Sequence, residues 1–186
     1  ANKIKIKTVV FSDDADAPAK NFANEFIFGN YNDEKKINEF VNKVDLITFE
    51  FENIPYDTLN KINQTKQVIP NPKINKIIQN RITEKDFLNK INLRTTQYSL
   101  IKNTDDLTIN SNLMPGILKT CTLGYDGKGQ KIINAIKNIK ELDIDFNKEY
   151  ILEKKVNLKK EISVIITRFG NNKYEIFEPI ENEHED

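Results

Sequence analysis

Apolar positions in the first third of the chain follow two rhythms in turn. Short apolar runs at Val9-Val10-Phe11, Phe26-Ile27-Phe28, Leu46-Ile47-Thr48-Phe49 and Val68-Ile69 read as strands, the first beginning near Ile4. Between them, Ile37, Phe40, Val41 and Val44 recur at helical spacing around residues 33–43, with Asn32 or Asp33 as the N-cap. A second helix opens at Pro55 and places Leu59 and Ile62 on one face. Strands alternating with helices predict a parallel sheet covered on both faces, an α/β arrangement. The rhythm changes at Pro70-Asn71-Pro72. Two helices follow in succession, about 73–79 and 83–90. A strand-rich segment comes next, with strands at 95–100, 116–121, 131–133, 149–155, 161–168 and 173–177 and a helix near 134–141. That second pattern is α+β, so a domain boundary is expected between residues 1–70 and 71–186.

Chemistry concentrates in Gly124-Tyr125-Asp126-Gly127-Lys128-Gly129-Gln130. Glycine accepts positive φ and has no Cβ to block a close approach. A loop of inward-pointing amides makes an anion nest, and Lys128 adds a charge. Lys119 stands just upstream, at the end of the apolar run Ile117-Leu118. The segment reads as strand, loop, strand. It suits either an ordinary hairpin or a loop that covers phosphates. It is neither a Walker A sequence nor a Rossmann fingerprint.

Other candidates are weaker alone. On a strand, Glu50 and Glu52 project from one face and Phe49 and Phe51 from the other. They are either the exposed end of that strand or the wall of a cleft beyond it. Arg81 is either a helix-surface charge or a phosphate ligand. Ile151-Leu152-Glu153-Lys154-Lys155-Val156 is a strand running into a turn, a hinge able to offer a backbone carbonyl and amide to adenine. Glu161 is either a surface strand residue or an acceptor for ribose hydroxyls. Cys121 is a small buried side chain or a nucleophile, and the only histidine, His184, is far from it in sequence.

In order, Ile47-Thr48-Phe49-Glu50-Phe51-Glu52-Asn53, Gln79-Asn80-Arg81 with Glu84-Lys85-Asp86-Phe87-Leu88, Ile117-Leu118-Lys119-Thr120 leading into the glycine loop, Glu153 followed by Lys160-Glu161-Ile162-Ser163, and Glu181-Asn182-Glu183-His184 closely resemble the N5-carboxyaminoimidazole ribonucleotide synthases, ATP-grasp ligases of purine biosynthesis. The resemblance covers essentially the whole chain. It implies a Rossmann-like pre-ATP-grasp domain over 1–70 and an ATP-grasp domain over 71–186, with a lid subdomain about 96–156, each in part. It implies ATP-dependent carboxylation of 5-aminoimidazole ribonucleotide by bicarbonate, through carboxyphosphate, with release of ADP and phosphate.

The resemblance also assigns roles. Arg81 and Lys119 contact ATP phosphates or the nucleotide pocket, and residues 124–130 (Gly124, Tyr125, Asp126, Gly127, Lys128, Gly129, Gln130) close over them. Glu153, Lys154, Lys155 and Val156 form the adenine hinge, Glu161 holds the ribose, and His184 touches the nucleotide. Tyr125, Asp126 and Lys128 carry the catalytic role, facing the imidazole ribonucleotide and bicarbonate. Glu50 and Glu52 lie on the substrate side. Phosphoryl transfer to bicarbonate needs alignment and charge neutralisation more than covalent help, and a closing lid shields a short-lived acyl phosphate. Magnesium is the expected companion of ATP, with its acidic ligands expected beyond residue 186. The family's opening strand with its Gly-rich turn is also expected to precede Ala1. The reading is therefore of a fragment, inactive by itself. A homodimer is implied as well. Two alternatives remain: another ATP-grasp ligase of the formate-dependent transformylase or biotin carboxylase type, and a non-catalytic nucleotide-binding module.

Composition narrows this further. Twenty-eight Lys+Arg balance 28 Asp+Glu in 186 residues, a formal net charge of zero, so no global field draws in nucleic acid or an anionic membrane. No apolar run approaches the roughly 18 residues of a membrane helix. The N-terminal residues lack the continuous apolar core of a signal peptide. A single cysteine excludes an internal disulfide, and the cytoplasm is the expected compartment.

Overall fold

The computed structural model describes residues 4–124, 129–170 and 173–183. Strand β1 (Val9–Ser12) pairs in parallel with β2 (Glu25–Phe28), and a short 3₁₀ turn at Pro18–Phe22 crosses between them. Helix α1 (Glu34–Asn42) starts where the Asp33 carboxylate accepts from the Lys35 and Lys36 amides. Strand β3 (Ile47–Thr48), helix α2 (Tyr56–Asn63) and β4 (Val68–Ile69) complete a second parallel pair. Val41, Ile47, Leu59, Ile62 and Val68 are buried together, so the helical and strand patterns converge on one core.

Two expected strands are shorter than their apolar runs. The strand near Ile4 begins only at Val9, because Lys5 sits in left-handed backbone at φ 58° and breaks the extended run. Strand β3 stops at Thr48. Its ladder pairs Ile47 with Val68 and Thr48 with Ile69, and the next position is Pro70, which has no N–H to donate. Glu50 and Glu52 therefore lie in a loop past the strand end, and strand alternation does not place their side chains.

Helix α3 (Pro72–Ile78), capped by Asn71, fastens that loop. Asn75 Nδ2 donates to the Ile54 carbonyl at 3.0 Å, and Gln79 Nε2 donates to the Glu52 and Ile54 carbonyls at 2.7 Å each. Helix α4 (Arg81–Lys90) follows directly, with the Asn80 side chain accepting from the Ile82 and Thr83 amides.

The larger sheet is antiparallel, in the order β5 (Tyr98–Ile101), β8 (Tyr150–Lys154), β6 (Gly116–Thr120), β7 (Gln130–Ile133). Its inner face carries Ile101, Leu118, Ile133, Tyr150 and Leu152 into a core closed by Leu107 and Leu113. These last two come from helix α5 (Thr104–Ile109) and a 3₁₀ turn at Ser111–Leu113, neither foreseen from the sequence. A capping box between Asn103 and Asp106 starts α5, which is too short to show a full apolar stripe. The helix expected near 134–141 is a 3₁₀ turn at Ile136–Glu141.

The expected strand 161–168 divides into β9 (Glu161–Ser163) and β10 (Ile166–Arg168). They pair with β12 (Ile180–Asn182) and β11 (Tyr174–Ile176) respectively. Together they form one interrupted hairpin. Pro179, between β11 and β12, cannot donate to the ladder and marks the interruption.

Candidate nucleotide site

The outer face of the four-stranded sheet carries the charges. On β6 and β8, Ile117 lies opposite Glu153 and Lys119 opposite Ile151, so Lys119 and Glu153 are diagonal neighbours on one face. The Lys119 ammonium donates to Glu153 Oε2 at 2.9 Å. The other carboxylate oxygen, Oε1, meets Lys85 Nζ at 3.3 Å. All three side chains are largely buried, at 11% exposure for Glu153, 17% for Lys85 and 21% for Lys119. A buried carboxylate requires such pairing. Two lysines against one carboxylate leave a net positive charge here, which suits an anionic group.

Lys85 was not singled out from the sequence. Its only local sign is the spacing Arg81–Lys85, which puts both cations on one side of α4.

Arg81 has a definite task in this structure. Its Nη1 donates to the Thr120 carbonyl at 2.9 Å, and its Nη2 donates to the Gly124 carbonyl. Its backbone amide donates to the Cys121 carbonyl at 2.9 Å. The start of α4 thus holds residues 120–124, the root of the glycine loop. A Cβ on Gly124 would come within 3.0 Å of Thr120 Oγ1 and 3.2 Å of Arg81 Nη2, so a larger residue there would press on the guanidinium. At the other root, Gly129 has φ +77° and leads into β7, which starts at Gln130 opposite Lys119. Tyr125, Asp126, Gly127 and Lys128 lie outside the described residues, as does His184.

Cys121 is buried beneath this root and its thiol is pushed up to about 11, first by burial and then by the Glu149 carboxylate. A thiol so disposed is not a nucleophile near neutral pH. That decides between the two readings of Cys121 in favour of the buried side chain.

A cleft of about 300 Å³ opens between the loop after β3 and the glycine-loop root. It brings Glu52 together with Gln79, Arg81, Glu84 and Gly124, while Glu50 is not among its walls. A larger depression of about 480 Å³ runs along β5, lined by hydroxyls, amides and Leu113. It carries no charged side chain and does not suit a phosphate.

Past Glu153, the Lys154 amide donates to the Gln97 carbonyl at 2.8 Å and the Lys155 amide to the Pro115 carbonyl at 2.9 Å. The Lys154 carbonyl accepts from Thr96 Oγ1 at 2.7 Å and has a second lone pair to offer. No backbone partner for the Val156 amide is found among the described residues. Glu161, at the start of β9, accepts from Asn182 Nδ2 at 3.1 Å. Among the described residues no three His, Cys, Asp or Glu side chains converge to hold a metal ion.

Comparison with known proteins places this arrangement. Residues 1–79 match the ribonucleotide synthetase preATP-grasp domain, and residues 86–186, more than half of the chain, match the ATP-grasp domain. The chain belongs to the ATP-grasp family. It is 36% identical to the N5-carboxyaminoimidazole ribonucleotide synthase of Staphylococcus aureus, across 99% of this chain and 50% of that protein. It is 35% identical to the enzyme of that name from Brucella melitensis, across 100% of this chain and 53% of that protein. The crystal structure of the Staphylococcus aureus synthetase complexed with ADP superposes with a TM-score of 0.91 at 35% identity, covering 99% of this chain and 50% of that one. The chain spans about half the length of the curated relatives it matches.

Proposed function

We propose that this chain binds ATP and carries the nucleotide side of an N5-carboxyaminoimidazole ribonucleotide synthase, in which 5-aminoimidazole ribonucleotide is carboxylated by bicarbonate at the expense of ATP. The observation that carries the reading is the excess positive charge on the sheet face: Lys119 and Lys85 around Glu153, beside a glycine hairpin whose root Arg81 holds. The names of the relatives supply the substrate, and the ADP complex of the Staphylococcus aureus enzyme supports the nucleotide.

In this reading Lys119 and the unused donors of Arg81 meet the phosphates, and the loop 124–130 covers them. The Lys154 carbonyl and the Val156 amide meet the adenine edge. In an extended segment, groups two residues apart lie on the same edge. Glu161 accepts from the ribose, and His184 adds a contact to the nucleotide. Tyr125, Asp126 and Lys128 face the acceptor, and the cleft holding Glu52 lies on the acceptor side, with Glu50 nearby in the same loop.

Bicarbonate takes the γ-phosphoryl group, giving carboxyphosphate and ADP. The exocyclic amine then captures the carboxyl group or the CO₂ derived from it, and phosphate leaves. The chain's contribution is charge neutralisation, alignment and exclusion of water. Magnesium accompanies ATP in this chemistry, and among the described residues no group of three acidic, histidine or cysteine side chains converges to hold it. We place the protein in the cytoplasm as a homodimer, by the same likeness.

The test has two stages. Calorimetric titration of the chain with ADP is expected to give saturable one-to-one binding that Lys119→Ala abolishes. Absence of binding refutes the nucleotide site. Phosphate release from ATP is then measured on a polypeptide of the relatives' length that contains this chain, with bicarbonate and with or without 5-aminoimidazole ribonucleotide. Release that does not depend on the ribonucleotide refutes the substrate.

A further inference from the structure

Glu153 meets two lysines, and the two are held differently. Lys85 has a second support: its Nζ lies 5.7 Å from the centroid of the Tyr98 ring. Tyr98 is itself fixed. It pairs with Glu153 across β5 and β8, its hydroxyl donates to Asp86, and Asn89 Nδ2 donates to that hydroxyl at 3.1 Å. Lys119 has Glu153 as its one ionic partner among the described residues, and it stands on the strand that leads into the glycine loop.

We propose that Lys85 is a positioning residue of the nucleotide site, acting through Glu153. It keeps that carboxylate neutralised so that Lys119 can leave it for a phosphate. The inference rests on the nucleotide reading given above.

The physical argument is one of exchange. A lysine that is the sole counterion of a largely buried carboxylate cannot move to a ligand without stranding a buried charge, which opposes binding. With Lys85 in place, the departure of Lys119 still leaves Glu153 with a partner at 3.3 Å. Without Lys85, ligand phosphate and Glu153 compete for the same ammonium. Glu153 thus turns from a holder of Lys119 into a competitor for it.

The experiment is calorimetric titration with ADP of the wild-type chain and of Lys85→Met, Lys85→Arg, Glu153→Gln and the Lys85→Met/Glu153→Gln double variant, each checked for fold by circular dichroism. Lys85→Met is expected to weaken ADP by about tenfold, less than the roughly thirtyfold or more for truncating a fully buried charge pair, because Lys85 and Glu153 keep some exposure. Lys85→Arg is expected to restore affinity to within about threefold, because a guanidinium still neutralises the carboxylate. With Glu153→Gln already present, Lys85→Met is expected to change affinity by less than about twofold, since no carboxylate is left to compete.

An equal loss in both backgrounds means that Lys85 acts by supporting the fold or by touching the ligand directly, and overturns the proposal. Unchanged ADP binding by Lys85→Met overturns it as well, while leaving the nucleotide site intact. A wild-type chain that does not bind ADP overturns the nucleotide reading and this inference with it. Should Lys85→Met not fold, Lys85→Arg and Lys85→Gln compared in the two Glu153 backgrounds carry the same test.

Discussion

Replacing Arg81 with alanine removes the clamp on the glycine-loop root. Two guanidinium hydrogen bonds, to the Thr120 and Gly124 carbonyls, are lost, while the backbone bond from Arg81 to Cys121 remains. A hydrogen bond to a charged group contributes about 1.5–3 kcal/mol. Arg81 is only half-buried, so solvent screening brings each to the lower end of that range or somewhat below it, about 2–3 kcal/mol together. For a chain of this size each kcal/mol moves Tm by roughly 2–4 °C, so Arg81→Ala is expected to lower Tm by roughly 5–10 °C. Lysine at this position is expected to recover less than half of that, because one ammonium cannot reproduce the fork that reaches two carbonyls. Thermal unfolding followed by circular dichroism gives the first number. Amide hydrogen exchange at residues 121–124 gives the local one and should rise in both variants. An Arg81→Ala protein within about 0.5 kcal/mol of wild type, the usual range for an unconstrained surface change, would show that the clamp contributes nothing.

Two other outcomes follow from the same structure. The Cys121 thiol is raised to about 11 in the folded chain, from an ordinary value of 9.0, so the folded state holds this proton more tightly than the unfolded one. That stabilisation is fully present below pH 9 and is lost as pH rises to about 11; two pKa units correspond to roughly 2–3 kcal/mol. Urea unfolding at pH 8 and pH 10.5, compared with Cys121→Ala, reads it, and equal pH sensitivity in both proteins removes the assignment. In the hairpin β9–β12, Ile162, Ile166, Ile176 and Ile180 are each more than half exposed, whereas Ile101, Leu118, Ile151 and Leu152 in the large sheet show no exposure. Native-state hydrogen exchange is expected to release the hairpin amides well before those of β5, β6 and β8, and equal protection of the two groups would contradict this.

The fold was legible wherever apolar periodicity met a cap or a proline. Helix α1 follows the spacing of Ile37, Phe40 and Val41 and begins at Asp33, which was one of two expected caps. Helix α2 begins just after Pro55, and β4 ends just before Pro70. Strand ends were less legible, because a strand ends where its neighbour stops pairing. Nothing within Phe49-Glu50-Phe51 signals that the chain opposite is Pro70, and nothing within residues 161–168 signals that Pro179 divides the partner strand. Helix α5 leaves no periodic signal for another reason. Its six residues bury only Leu107, too little to produce a period.

At the site, composition reported which groups could carry charge but not which would meet. Lys119 and Glu153 become neighbours only through the register that sets Ile117 opposite Glu153. A shift of one residue would turn one of them to the opposite face of the sheet. Lys85 enters from a different element altogether, and its pattern within α4 is that of any exposed helical lysine. Arg81 shows the same limit from the other side. Its fork of donors suggests a phosphate, and two of its nitrogens hold backbone carbonyls. A guanidinium that fixes the Thr120 and Gly124 carbonyls has its position set by the fold, and its side chain forms part of the cleft wall.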